Sequence, residues 1–420
     1  MKFKSRRWLA AGIGVAALWL VDVSASALES DELDPAALAG ATPFGWGKED
    51  GHGMDKVKGL PGIDSVANFT GRFKAAGVDS VGNPQTVWPY AMVGNSPDEG
   101  GTTVIGAPIV AVSIQLLDAS GNNRFVNGVN MFRDATQYLV PALQSPVFSF
   151  AKFPASVKPT QFNDAFMRAQ FWEEADDGWH TLLKAEVRPA RVLKLPFGTY
   201  RFARNSDGTL RYVLVDYSYF TNALFPPAAP DDTTIMGSLE IHGQISTKEI
   251  TTLLFPDTYL YIGSVSNCCV LGYHSVDFEA GDASNGNVPR LYVMNYSSWI
   301  SPGIFGGGFT DITALSHEMS EIFDDPFVSF DSIHNQTPWW LSPNGNCQNN
   351  LEVGDVIEGL VNATLPITMP NGFTYHPQNV AMLQWFTTHP KSDGYKGAFS
   401  FPDATVLPTA AVSQKVNCAP

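Results

Sequence analysis

The segment 315–326, LSHEMSEIFDDP, constrains this chain more than any other. It follows GGGFTDIT, a glycine-rich loop closing on Thr310 and Asp311, both residue types that cap helices. Ile312, Leu315, Met319 and Ile322 then recur at helical spacing, and Pro326 ends the run. On such a helix His317 and Glu321 stand four residues apart, so their side chains leave the same face and can give two ligands to one ion. Glu318 lies beside them, where a zinc peptidase helix carries the glutamate that takes a proton from water. Glu321 replaces the second histidine of such a helix. Zinc accepts imidazole nitrogen and carboxylate oxygen at similar distances, and the added carboxylate hardens the set, so Mn2+ and Ca2+ join Zn2+ as candidate ions. The same residues also fit an acidic surface helix in which His317 merely packs or caps.

A third ligand separates these readings. Downstream, CQNNLEVGDVIEG supplies Glu352 and Asp355 in a turn-rich segment that can fold back over the helix, with Glu352 the first choice for the metal and Asp355 an alternative. His376, after Tyr375, is a further alternative ligand. His274 in GYHS is a candidate to line the cleft or support the ligands, as is Asp325 before Pro326; a packed structural histidine is the simpler account of His274. His180 in DGWHTLL reads as surface structure, and FGGGF, which lacks the Lys-Ser/Thr of a phosphate loop, reads as a hinge or lid.

The start of the chain fixes an expected compartment. Lys2, Lys4, Arg6 and Arg7 precede the apolar WLAAGIGVAALWLV, and ASA at Ala25 to Ala27 is a small-residue cleavage site. Residues 1–27 are therefore expected to be a cleaved export signal, placing the mature protein in the periplasm or outside the cell. SRRWLA also fits a twin-arginine signal. No later apolar run is long enough to span a membrane. A net charge of −15 without a Lys/Arg cluster after the signal sets aside nucleic acid as a partner. Four cysteines in an exported chain suit disulfides. Closing a ring between the neighbours Cys268 and Cys269 strains the peptide unit, so each is expected to pair with Cys347 or Cys418.

Residues 28–100, rich in Gly, Pro, Asp and Ser, read as an irregular lead-in or propeptide. IVAVSIQLL predicts a buried strand, and NMFRDATQYLVPALQSP and TQFNDAFMRAQFWEE predict helices. TLRYVLVDYSYF and TYLYIGSV predict strands, whereas STKEITTLL opens like a capping box, with Glu249 three residues after Ser246. Strands and helices alternate without strict βαβ order. The expectation is one α+β (mixed α/β) domain over 101–390, with a tail, 391–420, tied back by a disulfide.

In their order, YLYIGSVSNCCVLGYHS, HEMSEIFDDP, LEVGD and YHPQNVAMLQWF resemble the exordium-like, or phosphate-induced, proteins and their bacterial and fungal secreted relatives. The resemblance covers roughly residues 100–400 and is close only in these four stretches. It implies a zincin-like fold with His317, Glu321 and Glu352 as ligands and Glu318 as base. At the closing helix the chain departs from the family, since Trp385 follows Gln384 directly. The expected function is a metal-dependent hydrolase acting on peptide bonds. Other classes stay open: a secreted binding protein with a structural metal, or a carbohydrate-active enzyme using Glu318 with Glu352 or Asp355, its polysaccharide lying along aromatics such as Trp339 and Trp340. No Gly-x-Ser-x-Gly elbow is present to anchor a serine mechanism.

Overall fold

IVAVSIQLL lies within the longest strand of the fold, Thr102–Leu116. Its apolar residues divide between two hydrophobic clusters: Ile105, Ala107 and Ile109 join one, Val110, Val112, Ile114 and Leu116 the other. Ile250–Pro256 pairs with this strand in parallel, Arg290–Trp299 pairs in parallel with Ile250–Pro256, and Gly272–Glu279 adds to Arg290–Trp299 antiparallel. His180–Val187 and Arg191–Leu195 also run parallel to the long strand, and Phe132–Arg133 antiparallel to it. A second sheet orders Glu32–Leu33, Tyr200–Arg204, Leu210–Asp216, Thr258–Ile262 and Ser264–Val270. The computed structural model describes residues 31–39, 63–78, 83–226, 231–306, 308–328, 340–348, 350–387 and 392–411. The expected signal segment, Trp339 and residues 412–420 of the tail, with Cys418, lie outside them. Strand exceeds helix in what is one mixed α/β domain, and among the described residues no helix is long and apolar enough to cross a membrane.

The site helix is Thr313–Asp324, and all of its residues are buried, which removes the surface-helix reading. It packs against Arg290–Trp299, Gly272–Glu279, the strand Pro84–Val93 and the helix Phe162–Gln170. Its start is not capped by the Asp311 side chain in the usual way. The Asp311 Oδ1 instead accepts from the Ile312 and His376 amides, at 2.7 and 2.9 Å.

Several local expectations yield to tertiary structure. In STKEITTLL the Ser246 hydroxyl does meet Glu249, at 3.0 Å, but the chain turns and enters the strand Ile250–Pro256. There β-branched Ile250, Thr251 and Thr252 are wholly buried between two strands, an environment that outweighs a four-residue cap signal. TLRYVLVDYSYF is strand only to Asp216, whose carboxylate caps the helix Tyr217–Leu224 by accepting from the Tyr219 amide. NMFRDATQYLVPALQSP forms only a short helix, Leu139–Leu143, after a single 3-10 turn. Within the expected lead-in, Asn68–Val78 and Pro84–Val93 form a hairpin that puts Trp88, Ala91 and Met92 into the main core.

The disulfide expectation is also corrected. Cys268 is bonded to Cys269 through a cis peptide bond that brings their Cα atoms to 3.0 Å. Cys347 is disulfide-bonded as well.

One pair of acids in the scaffold has a readable energetic signature. Glu240, on the helix Ile235–Ile241, and Asp277, on the strand Gly272–Glu279, face each other with both Glu240 oxygens and Asp277 Oδ2 reached by no donor among the described residues. Burial is the chief cause in both: with Glu279, and against a hydrogen bond from Glu240, it raises Asp277 to about 7, and with Asp277 and Glu279 it raises Glu240 higher still. Because the folded-state values are raised, the pair's contribution to stability is complete below the ordinary carboxylate range and is lost as pH rises through about 7. The variant Glu240→Gln removes one charge at nearly constant shape. Thermal unfolding followed by circular dichroism should show Glu240→Gln melting above the unmodified chain near pH 8.5, with the gap closing toward roughly pH 4. A gap that persists unchanged at the lower pH would contradict this account.

Candidate metal centre

His317 and Glu321 leave one face of the buried site helix, as their spacing requires, and His317 Nε2 lies 3.1 Å from Glu321 Oε1. The turn after Leu351 completes this group from above, since Asp355 Oδ1 lies 3.3 Å from the same His317 nitrogen. Bonds of about 2.0–2.2 Å around a tetrahedral ion separate its ligand atoms by roughly 3.3 Å. The observed spacings match that edge, and His317, Glu321 and Asp355 form one of three groups able to hold a metal ion. The others are His274 with Glu318 and Glu321, and His274 with Asp325 and Glu352.

The expected ligands therefore divide. Glu352 lies with His274 and Asp325, while Asp355 takes the place beside His317 and Glu321. His274, on the strand Gly272–Glu279, has its Nδ1 3.4 Å from Glu321 Oε2, 3.8 Å from Glu318 Oε2 and 4.0 Å from Glu352 Oε2. His376 is held elsewhere, its Nδ1 2.7 Å from Asp311 Oδ2 beside the start of the site helix. His180 meets Asp164 at 2.9 Å, in keeping with a structural role. Phe309, at the end of FGGGF, lines the cleft. Trp340 is fully buried, against Phe73 and Phe386, and does not line the cleft.

Both imidazoles are oriented as ligands by what holds their other nitrogen. The Gln378 amide donates to the Gly354 carbonyl at 2.7 Å, which turns its oxygen toward His317 Nδ1 at 3.1 Å. With the Nδ1 proton donated to Gln378, the lone pair of His317 sits on Nε2, toward Glu321 and Asp355. His274 Nε2 donates to the Asp325 carbonyl at 3.1 Å, so its lone pair on Nδ1 points at the carboxylates. Glu321 is fixed too, its Oε1 accepting from the Gly354 and Asp355 amides, each at 3.1 Å.

Two glycines make this closeness possible. A Cβ on Gly354 would stand 2.8 Å from the His317 ring, and one on Gly272 would stand 2.5 Å from Glu318 Oε1. The cleft encloses about 430 Å³ of atom-free space, counting its open mouth, and among the described residues no Lys or Arg lines it. Glu358 and Gln378 line it as well and were not anticipated. The glycine in LEVGD, and the glutamate three residues after Asp355, were the signals available for this turn.

The electrostatics are those of a hole for positive charge. Burial disfavours the His317 imidazolium, but Glu321, Glu318 and Asp355 outweigh it and raise its pKa well above the ordinary value. Burial likewise opposes ionisation of Glu321, yet His317 and His274 hold its carboxyl below the usual range. Burial chiefly pushes Glu318 up to about 7, and it also raises Asp355 and, further, Glu358. Asp355 Oδ2 and Glu358 Oε2 are buried with no hydrogen-bond partner among the described residues. Buried anionic oxygens in this state fit a bound cation.

Compared with known proteins, the chain matches no family model, no curated protein and no solved structure.

Gly354→Ala tests the packing of the turn. The added methyl displaces the His317 ring or the turn, at a cost of about 1–3 kcal/mol. Denaturant unfolding should show that loss, and metal affinity should fall with it. Unchanged stability and affinity would mean that the turn is not seated on His317 as described.

Proposed function

We propose that this chain is an exported metal-dependent hydrolase acting on peptide bonds, with a single catalytic ion at His317, Glu321 and Asp355 and with Glu318 as general base. The observation that carries the reading is the spacing of those three ligand atoms at the floor of an open cleft whose wall is Glu318. A divalent cation bound there would supply Lewis acidity, polarising a carbonyl and making water a nucleophile near neutral pH. Zn2+ suits one imidazole with carboxylates best, and Mn2+ or Ca2+ remain chemically admissible.

The chain's own residues supply the rest. Gln378 holds His317 in the ligating tautomer, and the Gly354 and Asp355 amides fix the Glu321 carboxylate. Gly272 leaves room for Glu318 at the wall, and a carboxylate whose pKa lies near 7 both accepts a proton from attacking water and returns it to a leaving amine. The resemblance to exordium-like proteins, the zincin-like fold and the export signal belong to this same proposal, which places the protein in the periplasm or outside the cell. A second reading, a non-catalytic secreted protein with a structural ion, is favoured by the depth of the site, since Glu321 and Asp355 are only 2% and 3% exposed. A carbohydrate-active enzyme has less support, because Trp340 is unavailable to stack on sugar.

The two supported readings part on Glu318→Gln. Under the hydrolase reading this variant keeps its metal but loses about 10²–10⁴-fold in peptide turnover. His317→Ala loses the ion held at His317, measured by elemental analysis against the unmodified chain. No peptide cleavage by the metal-loaded chain would leave the structural-ion reading, whereas a metal content and melting temperature both unchanged from the unmodified chain in His317→Ala would end both.

A further inference from the structure

Deepening the single-ion reading, on which it rests, we propose that the centre holds two divalent cations bridged by Glu321. One is held by His317, Glu321 Oε1 and Asp355; the other lies between His274 and Glu321 Oε2 and draws onto it Glu352 or Asp325, which group with the same His274.

The bridge is visible in how one carboxylate is shared. Glu321 Oε1 lies 3.1 Å from His317 Nε2, and Glu321 Oε2 lies 3.4 Å from His274 Nδ1. The two oxygens therefore face two different imidazoles, each already set with its lone pair inward by an oxygen on its far side. A carboxylate spanning ions in this way suits the separation of about 3.5–4 Å found in two-metal hydrolytic sites. The remaining ligands do not compete. Asp355 groups only with His317 and Glu321, while Glu352 and Asp325 group only with His274. This accounts for a turn that delivers two buried carboxylates, Glu352 and Asp355, each 3% exposed, where a single ion needs one.

Glu318 shows the same division without being needed as a ligand. Its Oε1 lies 3.9 Å from His317 Nε2 and its Oε2 3.8 Å from His274 Nδ1. It thus lies along the seam between the ion positions and remains free to serve as base. Charge favours the pair as well. Glu318, Glu321, Asp325, Glu352, Asp355 and Glu358 are all buried, and among the described residues no Lys or Arg lines the cleft. In a medium that screens poorly, a second divalent ion adds to the favourable charge that the first brings to these carboxyl groups.

The test uses the full chain, stripped of metal by chelation and titrated with Mn2+ alone. Two equivalents should bind per chain, and the doubly loaded protein should give the exchange-coupled paramagnetic resonance spectrum of a bridged pair. His274→Ala and His317→Ala should each retain one equivalent, and Glu321→Gln should weaken both sites at least about tenfold. Glu352→Gln, a milder change with the same expected loss of one equivalent, serves if His274→Ala does not fold by circular dichroism. One equivalent in the unmodified chain, kept in His274→Ala and lost in His317→Ala, overturns the second ion while leaving the proposed function standing. Two equivalents with uncoupled spectra overturn the bridge. No binding at all overturns both proposals.

Discussion

Burying a cluster of carboxylates around two imidazoles is the constraint to which the rest of this molecule answers. Ligand oxygens of Glu318 and Glu321, and of Glu321 and Asp355, lie within 4.8 Å of one another. Each such ionised pair repels by roughly 3–4 kcal/mol at an effective dielectric near 20. Domains are stable by only about 5–15 kcal/mol, so several unopposed pairs would consume the margin. The fold answers with imidazoles turned inward, with two backbone amides on Glu321 and with room for positive charge. A proton on His317 is the smallest occupant of that space, which is why a metal entering it must displace one.

The scaffold supplies rigidity where this charge is concentrated. The site helix is buried from end to end, with the sheet, the Pro84–Val93 strand and the Phe162–Gln170 helix against it. Polar contacts pin it laterally: Asn163 donates to the Ser320 hydroxyl and Gln170 to Asp324, both at 2.8 Å. A helix held this way keeps its ligand rotamers without help from the ion. Pre-organisation of that kind is what allows a ligand set to select an ion by geometry.

Much of the site was legible because its information is local. The spacing of His317, Glu318 and Glu321 needs only a helix, whereas their burial is set by the strands and helix packed around it, which the sequence left open against a surface helix. The turn bearing Glu352 and Asp355 was legible as a source of ligands, but which carboxylate meets which histidine depends on how that turn lands, and no spacing encodes this. Gln378 and His274 escaped a firm role for the same reason: each acts through a partner far away in sequence. The errors in the fold share one cause. The start of STKEITTLL does turn as its residues suggest, yet the sheet takes over at Ile250. The Asn68–Val93 hairpin looks loose in sequence because Gly, Pro and polar residues interrupt its apolar ones, although Trp88 and Met92 are what fix it to the core. In the vicinal cysteines a general steric argument gave way to a particular peptide geometry.

The metal centre takes its parts from the strand at His274, the helix at His317, the turn at Glu352 and the segment at Gln378, with no two neighbouring parts contiguous in the chain. An unfolded chain thus holds only short pieces of the site, the His317–Glu321 and Glu352–Asp355 pairs, and the full set of ligands is assembled only when the fold closes. The identity of the ion is then a matter of geography as much as of ligands. A chain threaded across a membrane unfolded meets its first metal outside, whereas one carried across already folded, as a twin-arginine signal directs, has chosen from the cytoplasm's supply before it leaves.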